Sequence, residues 1–115
     1  LQDFQNRFVK RKLIKDVSKR GDTLIDMSVG MGGDLQKWIE AKLSFVFGID
    51  YSKDNIYNRI RGACARYVRL KSRNKSMPGA LFIQGNSSLN IRDGEFTHPE
   101  GLWTITEAAR AVRDI

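Results

Sequence analysis

A single cysteine, Cys64, and a single histidine, His98, occur among the 115 residues. One thiol can neither close an intrachain disulfide nor assemble a cysteine-based zinc site, and such usage fits a reducing compartment. His98 has no partner at metal or triad spacing, so no metal and no role are assigned to it. No apolar run approaches the roughly 20 residues that cross a bilayer, and the basic, amphipathic start lacks the apolar core of a signal peptide. The expectation is an intracellular chain with no membrane partner. Repeats, low-complexity tracts and linkers are absent too. What a core needs is present: 41% hydrophobic and 10% aromatic residues exclude a disordered polyelectrolyte, and the length suits one domain. The chain opens on Leu1 instead of a methionine, as expected of a processed or cut piece.

Acidic residues are outnumbered, 13 against 20 Lys and Arg, for a net charge of +7. The excess gathers at the start (Arg7, Lys10, Arg11, Lys12, Lys15, Lys19, Arg20) and between Arg59 and Lys75. Such clusters attract phosphate backbones. Solvated helix faces would look the same, so charge supports a polyanionic partner without naming one.

Apolar residues from Phe4 to Val17 recur at three- and four-residue spacings, which predicts a basic amphipathic helix. Thr23 to Ser28 reads as a short, largely buried strand. The glycine-rich turn Val29-Gly30-Met31-Gly32-Gly33 follows, then a helix through Leu35, Trp38, Ile39 and Leu43. Phe45 to Asp50 is a second strand. Ser52 is an N-cap, and Ile56, Ile60, Ala63, Cys64, Tyr67 and Val68 predict one continuous helix. Ala80 to Gln84 is a third strand. Beyond Ile91 the pattern weakens, apart from a capping box at Thr104-Ile105-Thr106-Glu107 that predicts a last short helix. This alternation implies a parallel sheet covered by helices, one half of a doubly wound α/β fold without its fourth and fifth strands. The first strand would then have a bare edge, and the chain is expected to dimerise, swap elements or aggregate through it unless Thr104 to Ile115 covers that edge.

In such sheets ligands collect beyond the carboxyl ends of the strands, where Gly30, Asp50 and Asn86 fall. Gly30 and Gly32 can take positive φ and let a ligand approach the backbone. Asp50, about twenty residues past the turn, can accept hydrogen bonds from ribose hydroxyls. Asn86 carries an amide that can read the edge of a base. Each has a plainer reading, a structural turn, a helix-capping acid and an Asn-Ser turn respectively.

Asp26-Met27-Ser28-Val29-Gly30-Met31-Gly32-Gly33-Asp34-Leu35-Gln36-Lys37-Trp38 closely resembles the signature D-L-G-C-G-K-G-G-D-L-x-K-W of messenger RNA cap guanine-N7 methyltransferases. Phe4-Gln5-Asn6-Arg7-Phe8-Val9-Lys10 with Leu13-Ile14 is similar to the family's N-terminal helix. Gly48-Ile49-Asp50 and Ala65-Arg66-Tyr67 resemble its G-I-D and R-Y elements, and Gly85-Asn86-Ser87-Ser88 is most like the large DNA virus branch. The resemblance implies a Rossmann-like doubly wound parallel sheet of the class I methyltransferase type, in part. Residues 1–95 would be the N-terminal half of an S-adenosyl-L-methionine-binding domain, and 96–115 a C-terminal segment of unassigned role that could form a short helix.

By the same resemblance Lys10 pairs with the methionine carboxylate of the cofactor, and Ser28 and Gly30 line its backbone-facing side. Asp34 lies near the methionine amino group, Asp50 holds the ribose hydroxyls, and Asn86 with Ser87 meets the adenine. Asn6 faces the cap. The family has Gly where this chain has Ser28, Lys at Met31 and usually Asp at Asn86. Its Asn-to-Lys spacing in the first helix is one shorter, so Arg7 competes with Asn6. The implied reaction is methylation of guanine N7 on capped RNA, in the nucleus, cytoplasm, viral factory or virion, alongside other capping-enzyme domains or subunits. No catalytic residue is implied, since N7 already carries a lone pair and orientation supplies the rate. Another nucleic-acid methyltransferase and an inactive RNA-binding module of the same fold stay open. The family's later aromatic and histidine-containing cap element is not found, so these residues alone are expected to be inactive.

Overall fold

The computed structural model describes residues 14, 16–98 and 101–114. The helix expected over residues 4 to 17 falls almost wholly outside the described residues, as do Asn6, Arg7 and Lys10.

Three strands, β1 (Thr23–Asp26), β2 (Phe45–Asp50) and β3 (Gly79–Gln84), form one parallel sheet in the order β1-β2-β3. Thr23 lies opposite Phe45 and Asp26 opposite Gly48, while Phe45 pairs with Gly79 and Asp50 with Gln84. Between the strands run α1 (Leu35–Glu40), α2 (Lys53–Tyr57) and α3 (Ala63–Arg73), and α4 (Ile105–Asp114) closes the chain.

Strand side chains alternate between faces, and each face has its own core. On one side Val46 and Phe82 meet Leu35 and Trp38 of α1, Ile56 of α2 and Ala63 of α3. The fully buried Trp38 stacks on Phe82 at 6.2 Å, and Tyr67 meets the same ring edge-on at 5.7 Å. On the other side Phe47, Ile49 and Ile83 pack with Phe96 and with Ala108 of α4, Phe96 lying edge-on to Phe47 at 5.8 Å. Helices thus cover both faces of a parallel sheet, the α/β arrangement expected.

Expectations for two elements need correction. The first strand is not largely buried, since Thr23 and Ile25 are exposed. The first strand stops at Asp26, two residues short of Ser28, because the Asp26 carboxylate accepts the Ser28 N–H at 3.1 Å and turns the chain. Nor is the stripe from Ile56 to Val68 one helix. Ser52 does cap its start, accepting the Asn55 N–H at 3.2 Å, but Asn58 ends it. Its side-chain oxygen accepts the N–H groups of Ile60 and Arg61 at 3.0 and 2.9 Å, a local alternative to helical bonding. The break turns Ile60 to solvent, 71% exposed.

At α4 the capping box forms in both directions: the Thr104 N–H donates to Glu107 at 3.0 Å, and the Glu107 N–H to the Thr104 hydroxyl at 3.1 Å. The helix packs on a sheet face and not along the outer edge of β1. Among the described residues β1 pairs only with β2, and Ile25 and Met27 beside that edge are 47% and 53% exposed.

Candidate functional site

Because the strands are parallel, Asp26, Asp50 and Gln84 all stand at the same end of the sheet, and the loops after them meet there. The turn after β1 is tied to β2 twice. The Val29 N–H donates to the Ile49 carbonyl at 2.9 Å, and the Gly30 N–H to Oδ2 of Asp50 at 2.8 Å. Gly30 and Gly32 have φ of +59° and +81°, which a β-carbon would strain. A β-carbon on Gly30 would meet nothing within 4 Å, whereas one on Gly32 would come within 3.0 Å of the Leu35 side chain. Gly30 therefore leaves open space above the backbone, and Gly32 lets the turn close onto α1.

The other oxygen of Asp50, Oδ1, accepts the Ser52 N–H at 2.9 Å and the Asn55 side-chain amide at 3.2 Å. A carboxylate offers about four acceptor positions. With three engaged, Asp50 retains about one for a ligand hydroxyl, so part of its work is structural: it buckles the glycine turn to the start of α2.

Ser28 and Asp34 border one cleft of about 400 Å³ with Leu24, Ile25, Asp26 and Met27. Asp34 sits at the start of α1 but does not cap it with its side chain. Instead its Oδ1 receives the ammonium of Lys37 at 2.7 Å, a lysine only 6% exposed. That ion pair offsets part of the negative charge at the mouth of the cleft.

Asn86 begins the loop after β3, anchored where the Gly85 N–H donates to the Asp50 carbonyl at 2.9 Å. Its side-chain oxygen accepts both the N–H and the hydroxyl of Ser88, at 3.0 and 2.7 Å. The acceptor is thus engaged by its own turn. Ser87 is half-buried in that turn.

Sequence patterns missed three residues at the same end of the sheet. Gln84, buried, donates to the Tyr51 carbonyl at 3.3 Å; the His98 N–H donates to the Gln84 carbonyl at 3.3 Å; and the rings of Tyr51 and His98 meet edge-on at 5.3 Å. Residues 51 and 98 share no local pattern that could have announced this pairing. Burial raises the Cys64 thiol and the Tyr57 and Tyr67 hydroxyls above their ordinary values, so these groups hold their protons and none is an activated nucleophile. No helix among the described residues is long and apolar enough to cross a membrane.

Sequence comparisons point to one family. The model of the mRNA (guanine-N(7))-methyltransferase domain matches residues 1–106. A probable mRNA-capping enzyme of Acanthamoeba polyphaga mimivirus is 32% identical over 82 residues, which cover 71% of this chain and 7% of that protein. The mRNA cap guanine-N(7) methyltransferase 1 of Oryza sativa is 37% identical over 51 residues, 44% of this chain and 14% of that protein. Among solved structures, the YcgJ protein of Bacillus subtilis aligns with a TM-score of 0.48 at 18% identity, over 69% of this chain and 30% of that one. The chain thus spans a small part of the curated relatives it matches, and the family match over residues 1–106 contains the glycine turn and the strand ends described above. The chain belongs to the mRNA (guanine-N(7))-methyltransferase family.

Proposed function

We propose that this chain holds S-adenosylmethionine at the carboxyl ends of β1 and β2, and that the protein methylates N7 of guanine on capped RNA. The observation that carries the reading is the Gly30 to Asp50 hydrogen bond. It sets an open, positive-φ turn beside a carboxylate with acceptor capacity to spare, which suits a nucleoside whose ribose faces the acid and whose far end lies along the turn. When bound, the cofactor supplies an electrophilic methyl group on a sulfonium.

The residues of this chain then bind and orient. Ser28 and Gly30 line the methionine portion, Asp34 attracts its ammonium, Asp50 accepts from the ribose, and Asn86 donates its N–H₂ to the base beside Ser87. Lys10 is proposed for the methionine carboxylate and Asn6 for the cap; both lie outside the described residues. No proton need leave guanine N7, so the protein's contribution is alignment of acceptor and methyl group. The mimivirus relative is named a probable mRNA-capping enzyme and is far longer than this chain, which supports a place beside other capping domains or subunits.

The test is to incubate the protein that carries this chain with labelled S-adenosylmethionine and guanosine-capped RNA, then digest and identify the nucleoside. Label in 7-methylguanosine is expected. Label on another base or on ribose would transfer the reading to a different nucleic-acid methyltransferase. Failure of S-adenosylhomocysteine to bind, measured by calorimetry, would overturn it.

A further inference from the structure

The exposed side of α3 carries Arg66, Arg69 and Arg73, spaced three and four residues apart and so on one helix face. With Gly32, Gly33 and Gln36 they border a cleft of about 320 Å³ that opens over the glycine turn. There is no acid in α3, and among the described residues no carboxylate pairs with these three arginines. Two of them are steadied by backbone oxygens instead. Arg66 Nη1 donates to the Met31 carbonyl at 3.3 Å and Arg69 Nη2 to the Ile60 carbonyl at 2.5 Å. Each guanidinium has five N–H donors, so both keep most of theirs for a ligand while their positions are held.

Planar guanidinium forks match the oxygens of a phosphate. Three of them along about 10 Å of helix axis suit a chain of phosphates better than one small anion. The stripe begins at the glycine turn and leads away from it. We infer that Arg66, Arg69 and Arg73 form a phosphate track for the RNA strand that continues beyond the cap. The identity of the polyanion rests on the function proposed above. The arrangement of the track does not.

The experiment measures fluorescence anisotropy of a short single-stranded RNA, capped and uncapped, with the full chain between 50 and 200 mM salt. The variant is Arg69→Ala/Arg73→Ala, which leaves the Arg66 bond to the turn in place. Single-strand contacts contribute about 0.7 each to the slope of log K against log salt. The variant's slope should therefore be shallower by about 1.4, and its Kd about 25-fold weaker near 0.1 M salt. Arg69→Lys/Arg73→Lys should recover most of the slope, since lysine also neutralises a phosphate. Thermal melting and calorimetry with S-adenosylhomocysteine establish that the variants fold and keep their cofactor affinity. An unchanged slope in a folded alanine variant overturns the track, whatever the cap does. A shallower slope together with equal affinity for capped and uncapped RNA supports the track and counts against cap recognition instead.

Discussion

Asp50 accepts hydrogen bonds from Gly30, Ser52 and Asn55, so Asp50→Ala leaves the half-buried Gly30 amide without its partner. A loss of about 1–3 kcal/mol is expected from that exposure of unpaired groups. Affinity for S-adenosylhomocysteine should fall as well, and calorimetry below the variant's melting temperature separates the two effects. A destabilised variant with unaltered affinity would leave Asp50 its structural duty and remove it from the ligand site. The motif Gly33-Asp34-Leu35-Gln36-Lys37-Trp38 divides along similar lines. Leu35 and Trp38 are core, 2% and 0% exposed, while Lys37 is held against Asp34. The family pattern announces that these residues matter. Only the three-dimensional arrangement says that Trp38 packs on Phe82 and that Lys37 tempers the charge of Asp34.

Strands and the capping box were legible because their signals are local. The continuous apolar run in Phe45–Asp50 marks a strand buried on both faces, and it forms with those bounds. Thr104 and Glu107 cap α4 through four consecutive residues, so Thr104→Ala should destabilise the chain by about 0.5–2 kcal/mol. Because Ala108 and Val112 of that helix pack with Phe47, Ile49 and Ile83, loss of the cap should also raise hydrogen exchange in β2. Faster exchange confined to α4 would mean that the helix is only loosely coupled to the sheet. The long helix expected through Val68 does not form, for the complementary reason. Hydrophobic spacing persists across residues 58–62, but the Asn58 side chain outcompetes the helical bonds there.

At the scale of the molecule, the sheet has helices on both faces and an outer edge on β1 that no described strand pairs. An unpaired edge with exposed apolar neighbours recruits another strand. These 115 residues alone are therefore expected to associate at micromolar concentration, with light scattering above monomer mass, and to show no N7 methylation. Ile25→Lys, a charge beside the edge, should shift them toward monomer. A wild-type chain that is monomeric and methylates capped RNA would overturn both expectations.

Composition, periodicity and the glycine motif by themselves determined the α/β class, the three strands, the turn between β1 and α1, and the family. Each of these depends on residues within a few positions of one another, or on a signature carried intact along the chain. Tertiary structure alone decided which donors occupy Asp50, that Asn86 bonds its own turn, that Tyr51 meets His98, and that α4 covers a face and not an edge. It also decided that the α3 arginines open onto the glycine turn. These outcomes depend on contacts between residues distant in sequence, where the competition for hydrogen-bond partners and buried area is settled only when the sheet and its helices pack together.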